Sequence, residues 1–300
     1  MEVGQTPSYH VSMPDDSVSS KSWLAHRAPP QAYFAISALF HYLGPAFAVL
    51  LFAAIAPLGT AWLRILTAAA IFAAWRRPWR YAARLSIADR WTIAAMGVVL
   101  AGMNSVFYLA IARLPLGTVG AIEFLGPVAL AALGARDKRN AWALAAAVAG
   151  VFMLTKISWT RDPLGYAFAL ANCGLFSLYI VLGHRMAGQG GIDRLAAAMI
   201  VAAVVALPFG VGEATPAFAD WTLLAAAIGV GICSSVIPYV TDQLAMARLP
   251  RASFAMMLSI LPAMAALTGL IVLEQVPDRW EIAGIALVVL GVAIHRPSPG

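Results

Sequence analysis

Charge is what this sequence has least of. Only 11% of its 300 residues are Asp, Glu, Lys or Arg, where a soluble domain carries about 25%. So few charges cannot cover a water-soluble fold of this size, which excludes a soluble enzyme or binding domain. Cysteine is nearly absent as well. The two residues, Cys173 and Cys233, sit inside apolar runs and read as small buried hydrophobes, not as a disulfide or metal site. The chain carries no HExxH, no GxSxG, no Gly-rich phosphate loop and no Cys/His cluster, so no catalytic constellation, metal or cofactor is expected. Away from the ends of the apolar runs the only acids are Glu123 and Asp242, at opposite depths. That placement argues against a two-carboxylate protease site, and the chain reads as a non-enzyme.

Hydrophobicity fills the space left by charge. Apolar residues make up 61% of the chain and the mean hydropathy is +0.80. The apolar runs fall at 32–56, 58–75, 91–112, 115–135, 141–157, 164–184, 195–211, 222–247, 252–272 and 280–295, ten in all. Each is near the length of about 20 residues that crosses a bilayer. Trp79, Trp91, Trp142, Trp159, Trp221 and Trp280 mark their ends, where an indole straddles the headgroup layer. Residues 1–30 are polar, rich in Ser, Pro and Asp, and read as a disordered tail with no signal-peptide core.

The formal net charge of +6 and pI near 9.6 invite a nucleic-acid reading, which the distribution of charge removes. With the N-terminus inside, the inner segments hold 15 Lys and Arg and the outer segments hold 4. The positive-inside rule then places both termini in the cytoplasm.

An internal repeat gives the architecture. ARLPLGTVGAIEFLGPVALAALG (112–134) aligns without gaps on ARLPRASFAMMLSILPAMAALTG (247–269), so that Pro127 falls on Pro262 and Asn104 on Tyr239, at an offset of 135. The offset contains five spans, an odd number, and the halves enter the membrane from opposite sides. The expected fold is therefore all-α and integral to the membrane, with ten transmembrane helices as two inverted five-helix repeats, 31–159 and 163–296. Secondary transporters are commonly built this way, with the substrate site between the halves.

The segments Ala101–Ala131, with Gly-Met-Asn and Glu-Phe-x-Gly-Pro, and Val236–Gln275 resemble the drug/metabolite transporter superfamily. Within it they resemble the EamA-type, ten-span branch and the threonine/homoserine exporters of bacterial inner membranes. The resemblance implies two EamA repeats and proton-driven export of small amino acids or related metabolites across the inner membrane. It leaves uptake or facilitated diffusion by the same fold as the alternative, with a membrane enzyme further off. Its Pro-Tyr-x-x-acid element typically ends in Glu, where this chain has Asp242.

Three charges lie inside the apolar runs away from their ends, Arg64, Glu123 and Asp242, and each needs a partner or a wet cavity. At about 1.5 Å per residue, Arg64, Glu123 and Asn104 lie roughly 10–12 Å below the outer surface. Asn172, Ser234 and Ser235 reach similar depth. One cation, one carboxylate and several amides in a layer suit a zwitterion, with Arg64 facing its carboxylate and Glu123 its ammonium or a proton. A structural ion bridge between Arg64 and Glu123 is the competing reading. Asp242, near the inner end of its span, is read either as an interface residue opposite Arg248 or Arg251 or as a coupling acid. Tyr239 and His41 are candidates for substrate or proton contact, and Pro127 and Pro262 for helix breaks. The partners expected are thus a small-molecule substrate, protons and the lipid bilayer, and no nucleic acid.

The charge asymmetry yields the first prediction. Cysteines placed at Gly190 and Arg136 are expected to resist an impermeant thiol reagent in intact cells, and one at Ala217 to react. Labelling at Gly190 without lysis reverses the orientation.

Overall fold

The computed structural model describes residues 30–82, 85–134, 138–156, 162–187, 190–249, 254, 258 and 261–294. The N-terminal tail through residue 29, the loop at Arg136, Trp159, Arg251 and most of the stretch 250–260 lie outside the described residues. Among the described residues the chain is helical, with no strand.

The principal helices are α1 (Pro30–Leu51), α2 (Pro57–Arg76), α3 (Ile87–Ile111), α4 (Leu116–Gly134) and α5 (Lys138–Lys156). They continue with α6 (Pro163–Ala187), α7 (Gly191–Gly210), α8 (Trp221–Met246), α9 (Leu261–Leu273) and α10 (Arg279–Ile294). Of these α1, α2, α3, α6, α7 and α8 are long and apolar enough to cross a membrane. The chain is a multi-pass membrane protein.

Local chemistry sets the helix ends. Ser86 accepts from the Asp89 amide at the start of α3, and Asp220 accepts from the Thr222 amide at the start of α8, so each cap satisfies an orphan donor. The hydroxyl and amide of Thr222 also hold the exposed Asp220 carboxyl below its ordinary range. Pro57 opens α2, and its free amides at Leu58 and Gly59 donate to the Glu213 carboxylate at 3.0 and 3.1 Å, an anion against the positive end of the helix dipole. Trp75, Trp79, Trp91, Trp142, Trp221 and Trp280, all at or near helix ends, are exposed.

Contacts at the two ends fix the alternation of direction. At one end Arg76 pairs with Asp193 and Arg194 with Asp89, joining the end of α2 to the starts of α3 and α7. At the other, Arg113 meets Asp162 at 3.4 Å and Glu213 caps α2, joining α3 to α6 and α7 to α2.

Inside the bundle α2 packs on α7, α4 on α9 and α5 on α10. Helix α3 packs on α6 and α7 while α8 packs on α1 and α2; α4 packs on α6 while α9 packs on α1. Exchanging each of the first five helices with the one five places later maps these contacts onto one another. With no hydrophobic drive between helices in lipid, close approach depends on small residues. Gly44 of α1 lies against Ser234 of α8, where a Cβ would run into both the side chain and the backbone.

Two expectations from the sequence need correcting. Helix α4 runs through Pro127 without interruption, so the expected break there is not present. Proline still removes the amide that would bond the carbonyl four residues back, that of Glu123, and in a membrane bundle neighbouring groups make such a proline tolerable. Pro262 follows Leu261, the first described residue of α9, and residues 259–260 before it lie outside the described residues. Ala217 is fully buried in a short helix, Thr215–Ala219, so the exposed neighbour Ala219 is the better labelling position.

Gly44→Ala is expected to destabilise by about 1–3 kcal/mol through overpacking against Ser234. Gly174, which has open space where a Cβ would stand, is expected to accept Ala within about 1 kcal/mol. Thermal midpoints of the two purified variants in detergent check this; equal midpoints would disprove the tight α1–α8 contact.

Candidate functional site

The site starts from an irregularity in α8. Residues Ile232–Val236 form one π turn, a feature often found at functional sites. The Ile237 amide reaches back to the Ile232 carbonyl, and Pro238 has no amide to give. Carbonyls of this turn therefore lose their usual donors. Arg64 of α2 takes up the freed capacity: its Nη2 donates to the Ser234 carbonyl at 2.6 Å, and its Nε donates to Ser235 Oγ at 2.7 Å. The guanidinium also lies over the Tyr108 ring, 5.4 Å from its centroid, a cation–π contact. Arg64 is only 5% exposed, yet among the described residues no carboxylate comes within 4.0 Å of it. The structural ion bridge to Glu123 is therefore not formed.

Glu123 of α4 is buried and held by neutral donors instead. The Tyr42 hydroxyl of α1 donates to Oε2 at 2.7 Å, and the Asn172 amide of α6 donates to Oε1 at 2.8 Å. His41 Nε2 stands 3.9 Å from Oε2, with its ring against Tyr42 and Phe176. The side-chain oxygen of Asn172, Oδ1, is buried with no partner among the described residues. Such an acceptor is costly to leave empty.

Asn104 of α3 donates to the Leu100 carbonyl at 2.6 Å and to the Tyr239 hydroxyl at 3.0 Å. These two residues, matched by the sequence repeat, thus touch each other. Together with Arg64, Glu123, Asn172 and His41 they line one cavity, closed in by Met103 and Phe107. Its volume is about 20 Å³, room for a single water and too small for an amino acid. A wider pocket of about 200 Å³ lies between the start of α4 and residues 275–285. There Gln275 accepts from the Leu116 amide and Glu281 from Thr118 and Asp278, so its polar groups already serve the fold.

Asp242 does not line the cavity, and it is not at a wet interface. It is 2% exposed; Oδ1 accepts from Ser37 Oγ of α1 and Oδ2 from the Tyr179 hydroxyl of α6 at 3.0 Å. Arg248, its expected counterpart, lies instead over the Tyr33 ring. Tyr42, Ser37 and Tyr179 are absent from the candidates that the sequence offers. The available signal is weak: a tyrosine in an apolar run has a hydroxyl that must find a partner, but many tyrosines meet that condition.

Residues 163–295 match the EamA-like transporter family. The chain is 32% identical over 254 residues to the threonine/homoserine exporter RhtA of Escherichia coli K12, covering 84% of each chain. It is 30% identical over 249 residues to RhtA of Salmonella typhimurium LT2, covering 82% of this chain and 84% of that one. A solved crystal structure, 19% identical, superposes with a TM-score of 0.58 over 89% of this chain and 98% of that one, which shows a common fold.

Because Arg64 is anchored on α8 and not on Glu123, a double-mutant cycle of Arg64→Gln with Ser235→Ala is expected to show coupling of about 1.5–3 kcal/mol, the size of a charged hydrogen bond. The cycle of Arg64→Gln with Glu123→Gln is expected to give less. Unfolding midpoints read both, and a reversed order would restore the ion bridge.

Proposed function

As the chain belongs to the EamA-like transporter family, we propose that this membrane transporter exports small amino acids of the threonine/homoserine kind in exchange for protons. It does so by alternating access in the bacterial inner membrane, with both termini cytoplasmic. Its architecture in this reading is ten spans in two inverted five-helix halves. The helix contacts that map onto one another and the Asn104–Tyr239 hydrogen bond across the repeat offset support that arrangement. A contact between equivalent residues lies on the axis relating two copies.

One observation carries the substrate reading. A cation and a carboxylate face the same small cavity without forming an ion pair. A zwitterion fits that separation: its carboxylate takes the remaining guanidinium donors of Arg64, and its ammonium goes to Glu123 and the unpartnered Asn172 Oδ1. Asn104 and Tyr239 are left for a side-chain hydroxyl. The cavity expands as the halves separate. His41, close to Glu123, completes the wall. Uptake or facilitated diffusion on the same site differs from export only in coupling, and the pH gradient separates them.

The test is labelled threonine in proteoliposomes under an imposed pH gradient. Glu123→Gln, nearly isosteric, is expected to stay folded and lose transport. Arg64→Gln is expected to raise the threonine KM roughly 10- to 100-fold, the loss of one charged hydrogen bond. Normal transport in folded Glu123→Gln protein would end the assignment.

A further inference from the structure

The described helices bury two carboxylates, and they are held by different chemistry. Glu123 shares its cavity with the Arg64 cation, and one of its two donors is the Asn172 amide nitrogen, which only donates. Asp242 is held by two hydroxyls, Ser37 and Tyr179, and a hydroxyl both donates and accepts.

Either protonation state of Asp242 is therefore satisfied in place. When it is ionised, both hydroxyls donate to it. When it carries a proton, the carboxyl donates to one hydroxyl, and that group turns its own hydrogen away, as a helical serine does toward the carbonyl of the preceding turn.

No fixed charge touches Asp242. Among the described residues no Lys, Arg or His lies within 4.0 Å of Asp242. The titratable groups acting on it are Tyr179 of α6 and Tyr239 of its own helix. On the other packed elements, His41 of α1 faces Glu123, Arg64 of α2 bonds Ser234 and Ser235 of α8, His184 of α6 bonds the Ile180 carbonyl, Arg194 of α7 pairs with Asp89, and Arg76 of α2 with Asp193. A lone buried charge is costly and a neutral carboxyl is not.

We propose that Asp242 carries the coupling proton, at a site separate from the cavity that takes the substrate. The proposal rests on the exporter reading above. The proton comes from water on one side, neutralises the carboxylate, and is released to water on the other as the carboxylate reforms.

Coupling between the two sites runs through α1 and α6. Each helix grips both acids: Ser37 and Tyr42 on α1, Tyr179 and Asn172 on α6. A shift of either helix that opens the substrate cavity also loosens Asp242. Tyr239 stands between the sites, its ring 5.7 Å from that of Tyr179 and its hydroxyl on Asn104 at the cavity wall.

The experiment compares two transport modes of the full chain in proteoliposomes. One is threonine counterflow at equal pH, which needs only the substrate site; the other is accumulation driven by a pH gradient. Asp242→Asn is expected to keep counterflow within about twofold and to lose gradient-driven accumulation, with Asp242→Glu restoring it. Accumulation retained in Asp242→Asn protein, or counterflow lost from protein that remains folded, overturns the proposal. If Asp242→Asn does not fold, the double variant Ser37→Ala, Tyr179→Phe decides. The pH profile of accumulation is expected to move by about one unit with counterflow intact, and an unmoved profile is the contrary result. Absence of counterflow in the wild type removes the exporter reading itself, whereas counterflow with accumulation independent of Asp242 removes only the proton assignment.

Discussion

The Arg64 guanidinium ends on a main-chain carbonyl of Ser234 and the hydroxyl beside it, and much of the interior depends on that attachment. In a layer without water each charge has to be met by protein groups. Had Arg64 been met by Glu123, the two charges would have cancelled and the centre of the bundle would be electrically quiet. Meeting it with the π turn of α8 keeps the charges apart. The turn has to be irregular to offer its carbonyl, Pro238 helps to keep it irregular, and Gly44 allows α1 to lie against it. One departure from helical regularity thus sets the position of α2 on α8, of α1 on α8, and of the polar cavity between them.

Membrane class was legible from composition alone, since 11% charge leaves no other solvent. The polar layer was legible in part. Counting residues from span ends put Arg64, Asn104, Glu123 and Asn172 at one depth, and these four line one cavity together. Depth, however, is a single coordinate. It placed Asp242 near a helix end but carried no information on the side chains approaching from α1 and α6, and so the expected wet interface gave way to a buried carboxylate. The π turn left no compositional trace, because it alters only which amide reaches which carbonyl. The uninterrupted helix at Pro127 belongs with these: whether a proline breaks a helix is decided by its neighbours.

Hydroxyl groups were the part of the site least visible beforehand. Ser37, Tyr42 and Tyr179 bind the two acids, yet in the sequence they are ordinary members of apolar runs. Their importance arises from partners 205, 81 and 63 residues away in the chain, separations that no local pattern reports.

The hydrogen bond between Asn104 and Tyr239 has a bearing on ancestry. In a two-fold arrangement of duplicated halves, an axial position begins as a residue facing its own copy. If the two halves are copies, as proposed above, Asn facing Tyr means that they have diverged at the point where they meet. A carrier with matched residues there would present its cargo with the same surroundings from either face of the membrane. In the two-halves arrangement proposed above, an amide approaches from one half and a phenol from the other, so the two halves of the proposed transport cycle are not mirror images. In that reading the site offers each face of the membrane different surroundings, while the net direction of transport follows the gradients across it.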